Sequence, residues 1–188
     1  DTNKIDYKFL ETNSLLETTA KLISESNVVG WYQGKMEWGP RALGNRSILA
    51  DPRNAKMKDI LNEKIKHRES FRPFAPCILE EYAAEYFDID IPSPYMLLVA
   101  PVTKPEKIPA VTHVDGTSRL QTVSKDTNPL FYDLINEFYK TTGVPVLVNT
   151  SMNVRGEPIV NTLEQAYSMI IKTDMDYIVL GNHIVKKQ

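Results

Sequence analysis

The sequence predicts an α/β domain in which helices flank a mixed β-sheet. Segments with helical and with strand periodicity alternate along the chain, as they do in proteins of that class. The 188 residues, 42% of them hydrophobic and 24% charged, have the size and balance of one globular domain. A chain of this length buries a sizeable core without disulfides or metal staples. We therefore expect a single domain.

The first predicted elements are a helix and a buried strand. Leu16, Ala20 and Ile23 recur at spacings of four and three residues, as on the buried face of a helix. The apolar run from Val28 to Tyr32 then predicts a short strand. From Gly34 to Pro52 the periodicity ends, and three glycines predict a long loop. Loops of this length inside a compact domain are more often functional than idle.

The middle of the chain predicts two helices and one central strand. Apolar residues follow a helical spacing again from about Ala55 to Lys66. The prolines of Phe71–Pro76 exclude a continuous helix there, because each one pushes the residue before it toward extended geometry. A short helix is predicted from Glu80 to Phe87. The wholly apolar run Tyr95–Val102 predicts a central strand of the sheet.

The next segment combines a surface loop, a pair of strands and a helix. Prolines and lysines between Pro101 and Pro109 indicate the loop. Val111–Val114 and Leu120–Val123 are candidate strands on either side of a turn at Asp115-Gly116. Asn128-Pro129 has the chemistry of a helix start, and Gly143 that of a helix end.

The C-terminal part predicts strand, helix and strand. Pro145–Asn149 is a candidate strand that leads directly into a polar turn. Thr162 and Gln165 form the capping box of a helix that runs to about Lys172. Asp176–Val185 then supplies one or two final strands.

Composition and charge exclude several classes of protein. The only cysteine, Cys77, excludes an internal disulfide framework and fits a reducing compartment, so we expect a cytoplasmic location. No apolar run approaches the length of a membrane span. The formal net charge of −2 argues against a basic protein that coats nucleic acid.

The positive charge is concentrated in one segment. Lys35–Arg72 holds ten basic and five acidic residues, a net charge of +5, so the remainder of this −2 chain carries −7. Three arginines of that segment, Arg41, Arg46 and Arg72, lie in loops shaped by glycine and proline. A guanidinium held in such a loop offers a rigid fork to phosphate or carboxylate. The alternative is that these arginines form ion pairs that fix the loops.

Two further segments could carry chemistry. Asn149–Glu157 places amides, hydroxyls and an arginine after a strand end, which is where α/β sheets bind ligands, although an ordinary polar turn would use the same residue types. His113 and Asp115 could be two metal ligands, but no further His or Cys is near them, which favours a structural use. Cys77 has apolar neighbours and is expected to be inert core. The sequence has no phosphate-binding GxxxxGK[ST] or GxGxxG motif.

Four segments together resemble one family. They are GKMEWGPRALGNRSILADP at Gly34–Pro52, KHRESFRPFAP at Lys66–Pro76, HVDGTSR at His113–Arg119 and NTSMNVRGEP at Asn149–Pro158. In this order they resemble the C-terminal region of the NodU/CmcH-type O-carbamoyltransferases. Met152 departs from the family, which usually has Phe there; both side chains are apolar.

The resemblance implies a YrdC-like twisted mixed sheet flanked by helices, in residues 28–188. Residues 1–27 would be a helix and linker from a missing upstream domain. That domain would be actin-like, bind the metal ion of the full-length enzyme, and transfer the carbamoyl group to an acceptor hydroxyl. The present domain would make carbamoyl adenylate from carbamoyl phosphate and ATP, with release of pyrophosphate. Mg²⁺ would accompany the ATP, and no protein ligand for a metal can be named here.

The resemblance also implies the residues of the site. It assigns catalytic roles to Lys66, Arg119 and Ser151. It assigns substrate or nucleotide binding to Arg41, Arg46, Arg72, Asn149 and Asn153. Lys66 and Arg119 are expected to face one shared anion site. These cations offset the charges of two phosphorylated substrates, and phosphoryl-type transfer depends mostly on such positioning and electrostatic stabilisation.

A rival hypothesis is a non-catalytic module that binds a nucleotide, RNA or another polyanion. It would use the +5 segment, and its affinity would fall steeply with salt. The sequence lacks a run of exposed aromatics interleaved with basic residues, the usual stacking platform for single strands. The enzyme hypothesis is therefore preferred, and we expect neither a membrane nor a nucleic acid as a partner.

Overall fold

The computed structural model describes residues 7–188 and builds them around an eight-stranded mixed sheet. The strands are β1 (Tyr7–Phe9), β2 (Val29–Tyr32), β3 (Arg46–Ala50), β4 (Ala75–Leu79), β5 (Val99–Pro101), β6 (Thr117–Arg119), β7 (Gln121–Val123), β8 (Val146–Ser151), β9 (Tyr177–Leu180) and β10 (His183–Lys186). The large sheet has the order β1-β10-β9-β2-β3-β8-β4-β7, and β5 and β6 form a separate pair. The pairs β2–β9 and β4–β7 are parallel and the other neighbours antiparallel, so the predicted mixed sheet is confirmed.

Residues 7–188 also form five α-helices. They are α1 (Thr12–Ser24), α2 (Met57–Leu61), α3 (Ala83–Tyr86), α4 (Pro129–Thr142) and α5 (Leu163–Lys172). The α2 helix continues as a π-helical turn over Asn62–Lys66, and 3₁₀ turns cover Glu80–Tyr82 and Pro109–Val111. The helices α1 and α4 pack against each other and against the sheet, and α5 packs on β2 and β9. The largest buried side chains include Trp31, Phe87, Phe131 and Phe138.

The helices predicted from local chemistry are confirmed. The Asn128 side chain caps α4 by accepting a hydrogen bond from the Phe131 amide at 3.2 Å. Gly143 ends that helix in the left-handed region, at φ 73°. Thr162 and Gln165 form the predicted capping box of α5.

The predicted loop over Gly34–Pro52 contains a strand and is therefore wrong in part. Its second half is β3, which lies between β2 and β8, and Ile48 and Leu49 are fully buried in the core. The part before β3 is held close to α4 at Gly44. A Cβ atom at Gly44 would lie 2.3 Å from the Phe131 ring, and the φ of +110° is one that favours glycine.

The predicted central strand over Tyr95–Val102 is wrong. Tyr95 and Leu97 are each about two-thirds exposed, and only Val99–Pro101 forms a strand, in the small pair with β6. Val114 is fully exposed, and the strand expected at Val111–Val114 begins instead at Thr117. Apolar composition predicted burial of Tyr95–Val102, and the backbone leaves Tyr95 and Leu97 at the surface.

The N-terminal elements are packed onto the rest of the fold. Leu15, Leu16, Ala20 and Ile23 of α1 are buried, and β1 pairs with β10. The assignment of residues 1–27 to an upstream domain stays a prediction, and residues 1–6 lie outside the described part of the chain. Between residues 7 and 188, no helix has both the length and the apolar character that crossing a membrane requires.

Candidate functional site

Two adjoining cavities open at the carboxyl end of β8. The first, of about 120 Å³, lies between the loop before β3, the start of β4 and β6; the second, of about 200 Å³, lies between the segment after α2 and the loop after β8. The first is lined by Pro40, Arg41, Ala42, Arg68, Pro73, Phe74, Ala75, Met96, Arg119, Asn149, Thr150 and Ser151. The second is lined by Lys66, Arg68, Arg72, Thr150, Ser151, Asn153, Val154, Arg155 and Gly156. They share Arg68, Thr150 and Ser151, so a ligand that filled both would pass over Ser151.

Seven of the eight predicted site residues line these cavities, and Arg46 does not. The Arg46 guanidinium donates to the main-chain oxygens of Gln33 at 2.6 Å, Asn45 at 2.9 Å and Gly34 at 3.1 Å. It also lies 3.7 Å from the centre of the Tyr32 ring. Arg46 is therefore occupied in fixing the loop before β3.

Arg41 and Arg119 bring two unneutralised guanidinium groups to the first cavity. Within the described chain, the buried Nε of each lacks a hydrogen-bond partner and neither side chain pairs with a carboxylate. Burial, followed by the positive charge of Arg41, lowers the pKa of Arg119. Two like charges held together without a counterion favour the binding of an anion.

Asn149 lines the same cavity and has a buried, unpaired acceptor. Its side-chain amide donates to the Ala42 oxygen at 3.1 Å and to Gln121 Oε1 at 2.8 Å. Those two bonds fix the orientation of the amide and leave Oδ1 buried, with no partner among residues 7–188. A ligand N–H group in the first cavity could satisfy this oxygen.

Lys66 is buried and enters the second cavity from the π-helical turn after α2. Its ammonium donates to the Ser151 oxygen at 2.6 Å, and to the main-chain oxygen and Oδ1 of Asn153 at 2.8 Å each. These bonds use all three of its protons. Burial, followed by the charge of Arg68, lowers the pKa of Lys66 to about 7. Lys66 thus holds the loop after β8, and it lies in the cavity next to that of Arg119.

The hydroxyl of Ser151 is positioned by Asn153. Ser151 Oγ donates to Asn153 Oδ1 at 2.7 Å, and the Asn153 amide donates to the Glu157 oxygen at 2.8 Å. The hydroxyl oxygen also accepts from Lys66 Nζ at 3.5 Å, which leaves it one lone pair for a ligand donor.

Sequence reasoning missed Arg68, which lines both cavities. Its Nε donates to Asn62 Oδ1 at 2.7 Å, and its guanidinium lies 4.8 Å from the centre of the Phe74 ring. The available signal was its place in the same KHRESFR segment as Lys66 and Arg72. Arg155 also lines the second cavity. It is the arginine of the polar segment that follows β8.

The segment with His113 and Asp115, the candidate metal ligands, forms a structural turn. Asp115 Oδ1 accepts from the Thr117 amide at 3.0 Å and from its hydroxyl at 2.7 Å, and His113 Nδ1 lies 3.4 Å from the same hydroxyl. In the described range no group of three or more His, Cys, Asp or Glu residues is placed to hold a metal ion. Cys77 is fully buried, and burial raises the pKa of its thiol.

Taken together, the site is a pair of cationic cavities without acid. Six basic residues line them, and no carboxylate does so in the structure as described. This donor set does not fit a protein-bound Mg²⁺, which prefers carboxylate oxygens. It fits a ligand with several negative charges and at least one N–H donor. Fold and site therefore define an α/β domain with two adjoining cationic cavities at a strand end.

Comparison with known sequences identifies the family. The profile of the family described as Carbamoyltransferase C-terminus matches residues 20–187. The chain is 49% identical to nodulation protein NolNO of Sinorhizobium fredii over 90% of its own length and 26% of the relative. It is 49% identical to nodulation protein U of Rhizobium tropici over 76% of its length and 25% of that protein. The chain belongs to the carbamoyltransferase C-terminal family, as the four motifs predicted, and spans a quarter to a third of these curated relatives.

Solved structures with the same fold confirm the predicted YrdC-like architecture. Sua5 of P. abyssi, in complex with L-threonine, superposes with a TM-score of 0.67 at 16% identity, over 93% of this chain and 48% of Sua5. Full-length HypF in a phosphate- and nucleotide-bound form superposes with a TM-score of 0.62 at 18% identity, over 94% of this chain and 22% of HypF. At these identities the likeness concerns the fold.

Proposed function

We propose that this domain forms carbamoyl adenylate from ATP and carbamoyl phosphate, and releases pyrophosphate. The observation that carries the proposal is the pair of adjoining cationic cavities that share Ser151, with Arg41 and Arg119 unneutralised in the first. A reaction between two phosphorylated substrates brings several negative charges into one place. It needs converging cations that are not already paired with acids.

The first cavity suits the carbamoyl group. Carbamate and carbamoyl phosphate each carry an NH₂ donor next to a carbonyl oxygen. Asn149 Oδ1, buried and unpaired in the described structure, can accept from the NH₂, while Arg41 and Arg119 donate to the oxygens. An ordinary carboxylate would not supply that donor.

The second cavity suits the phosphate chain. Lys66, Arg68, Arg72 and Arg155 line it, and Ser151 joins it to the first cavity. The α-phosphate of ATP would then lie near Ser151, between the carbamoyl group and the departing pyrophosphate. The nucleotide-bound form in which HypF is described supports a nucleotide here. Mg²⁺ would arrive on the nucleotide, since the walls offer it no carboxylate among the described residues.

The reaction needs one water to balance. Water attacks the carbonyl carbon of carbamoyl phosphate, the bond from that carbon to the phosphate oxygen breaks, and carbamate, inorganic phosphate and a proton are formed. A carbamate oxygen then attacks the α-phosphorus of ATP, and the bond to pyrophosphate breaks. The chain's own contribution is to position both anions and stabilise the charge that develops on the α-phosphate. No covalent enzyme intermediate is required.

The final transfer to an acceptor hydroxyl belongs, in this proposal, to the part of the relatives that lies outside the matched region. This chain spans a third or less of those relatives. The actin-like, metal-binding character of that part, carbamoyl phosphate as a partner and a cytoplasmic location stay predictions.

The test is exchange of labelled pyrophosphate into ATP, catalysed by this chain. Exchange should require carbamoyl phosphate, and inorganic phosphate should appear in amounts equal to the adenylate formed. Lys56→Ala, which removes an exposed lysine of the same basic segment, should leave the exchange rate unchanged. Exchange without carbamoyl phosphate, or none in this chain and in a full-length relative, would contradict the proposal. With an acceptor added, this chain alone should give no carbamoylated product.

The polyanion-binding module remains the second candidate because of two exposed aromatics. Trp38 is fully exposed, three positions before Arg41, and Phe71 is 75% exposed next to Arg72 in the chain. A single-stranded RNA could stack on such rings. That function predicts RNA binding whose affinity falls nearly linearly in log salt. Saturable ATP binding that RNA does not compete for would exclude it.

A further inference from the structure

Glu69 places a carboxylate against two of the four cations of the second cavity. Its Oε2 lies 3.1 Å from Nε of Arg72, and its Oε1 lies 3.7 Å from Nη1 of Arg155. Arg72 follows Glu69 by three positions, whereas Arg155 belongs to the loop after β8. One exposed acid therefore joins the two sides of the cavity mouth.

The other two cations are held by neutral groups. The ammonium of Lys66 donates to three oxygens of Ser151 and Asn153, and Arg68 donates to the Asn62 side chain. Over residues 7–188, Glu69 is the one carboxylate in an ion pair with a cation of this cavity. The two halves of the lining thus differ, one fixed by hydrogen bonds and one by an anion.

Glu69 is ionised at neutral pH, and its carboxylate is easily displaced from the two arginines. A hydrogen bond from its own main-chain amide, followed by the charges of Arg72 and Arg155, lowers the pKa of Glu69. The side chains of Glu69, Arg72 and Arg155 are 43%, 46% and 60% exposed. Ion pairs this exposed hold their partners weakly. A phosphate group with more charge and three oxygens would replace the carboxylate on both guanidinium groups.

We propose that Glu69 sets the affinity of the second cavity for phosphate groups by competing with them for Arg72 and Arg155. The inference rests on the proposed function, which places the released pyrophosphate in this cavity. Without ligand, Glu69 neutralises the two arginines; with pyrophosphate bound, the carboxylate turns toward solvent. The competition weakens the hold on pyrophosphate and so favours its departure.

The sign of the effect separates this role from a structural one. If Glu69 served to position Arg72 and Arg155 for the ligand, its removal would weaken binding. If it competes, its removal strengthens binding, because a negative charge a few ångströms from a polyanion disappears. Exposed pairs contribute little positioning, so the electrostatic effect should decide.

The experiment is calorimetric titration of the chain with inorganic pyrophosphate, comparing wild type, Glu69→Gln and Glu157→Gln. Glu157 is a matched control: its carboxylate lies 3.9 Å from Lys172 and in the same region of the surface, but contacts neither arginine. We expect Glu69→Gln to bind pyrophosphate about 3- to 10-fold more tightly, and Glu157→Gln to stay within about twofold of wild type. Adding Arg155→Ala to Glu69→Gln should reduce the gain.

Unchanged or weaker binding by Glu69→Gln, with thermal melts like those of wild type, would overturn the inference. So would equal tightening by Glu157→Gln, which would indicate a general charge effect, and so would the absence of pyrophosphate binding in every variant. Failure of the proposed function looks different. In that case carbamoyl-phosphate-dependent exchange is missing while Glu69→Gln still tightens pyrophosphate binding.

Discussion

Lys66 and Ser151, 85 positions apart in the chain, are joined by a hydrogen bond of 2.6 Å from the lysine ammonium to the serine main-chain oxygen. Two further bonds, to the main-chain and side-chain oxygens of Asn153, complete the contacts of the ammonium. No carboxylate among the described residues forms an ion pair with this ammonium. The π-helical turn and the strand end β8 are held together through this one side chain.

Replacing Lys66 by Met should destabilise the fold. The change keeps the length and removes the donors, so three oxygens of the β8 end lose a buried partner. We expect a loss of about 1–3 kcal/mol in the free energy of unfolding, measured in urea. Lys64→Met, on the same π-helical turn but exposed, should cost much less. Equal stability of the two variants would show that water replaces the ammonium without cost.

Binding of pyrophosphate should take up protons at Lys66. Burial, followed by the charge of Arg68, lowers the pKa of Lys66 to about 7 in the free chain. A polyanion in the cavity favours the charged lysine and raises that pKa, so the complex holds more protons than the free chain just above pH 7. The association constant should accordingly fall as the pH rises above 7.

Calorimetry in two buffers of different ionisation enthalpy measures this uptake. Pyrophosphate itself also titrates, so the quantity to compare is the difference between wild type and Lys66→Met at the same pH. Arg68, Arg72 and Arg155 line the same cavity, and Glu69, whose pKa is lowered, stays ionised above pH 7. Identical proton uptake by wild type and Lys66→Met would rule out Lys66 as the linked group.

Elements whose causes lie within a few residues could be predicted from the sequence. The sequence of α4 contains its capping residue, a proline in its first turn and a glycine at its end, and that of α5 contains both members of its capping box. Burial was harder to predict. The run Tyr95–Val102 looks like core by composition, yet its exposure depends on which strands occupy the centre of the sheet. Those strands include β3, which was not predicted because the glycines before it indicated a loop.

The site was predictable as a set of residues, and less so as a set of roles. Loop arginines were candidates for ligand binding, but the sequence cannot show that Arg46 donates through its terminal nitrogens to Gln33, Gly34 and Asn45, while Arg119 lines the first cavity. Partners of that kind are decided by long-range packing. For Arg68, which lines both cavities, residue type alone gave no reason to prefer it over its neighbours.

Gly44→Ala should disturb both the fold and the first cavity. The new Cβ would lie 2.3 Å from the Phe131 ring, at a φ of +110°. Either α4 or the segment that carries Arg41 must move, and we expect a loss of about 2–4 kcal/mol in unfolding free energy. Gly116→Ala, at φ +76° with open space around it, should cost only about 1 kcal/mol. Similar melting temperatures for the two variants would contradict the close approach of Phe131.

Arg119 and Arg46 offer the sharpest separation of chemistry from structure. The Nε of Arg119 is unpaired among the described residues, so Arg119→Ala removes charge from the first cavity and little else. We expect the rate of pyrophosphate exchange to fall roughly 30- to 1,000-fold, which corresponds to a loss of about 2–4 kcal/mol in transition-state stabilisation. The melting temperature should stay close to that of wild type. Arg46→Ala, by contrast, should lower the stability of the fold. Three main-chain oxygens lose a buried donor, and the Tyr32 ring loses the cation that lies over it. Whatever exchange it loses should follow the fraction of folded chain. Normal exchange in Arg119→Ala would remove it from the site, and a lowered melting temperature there would make it a structural residue instead.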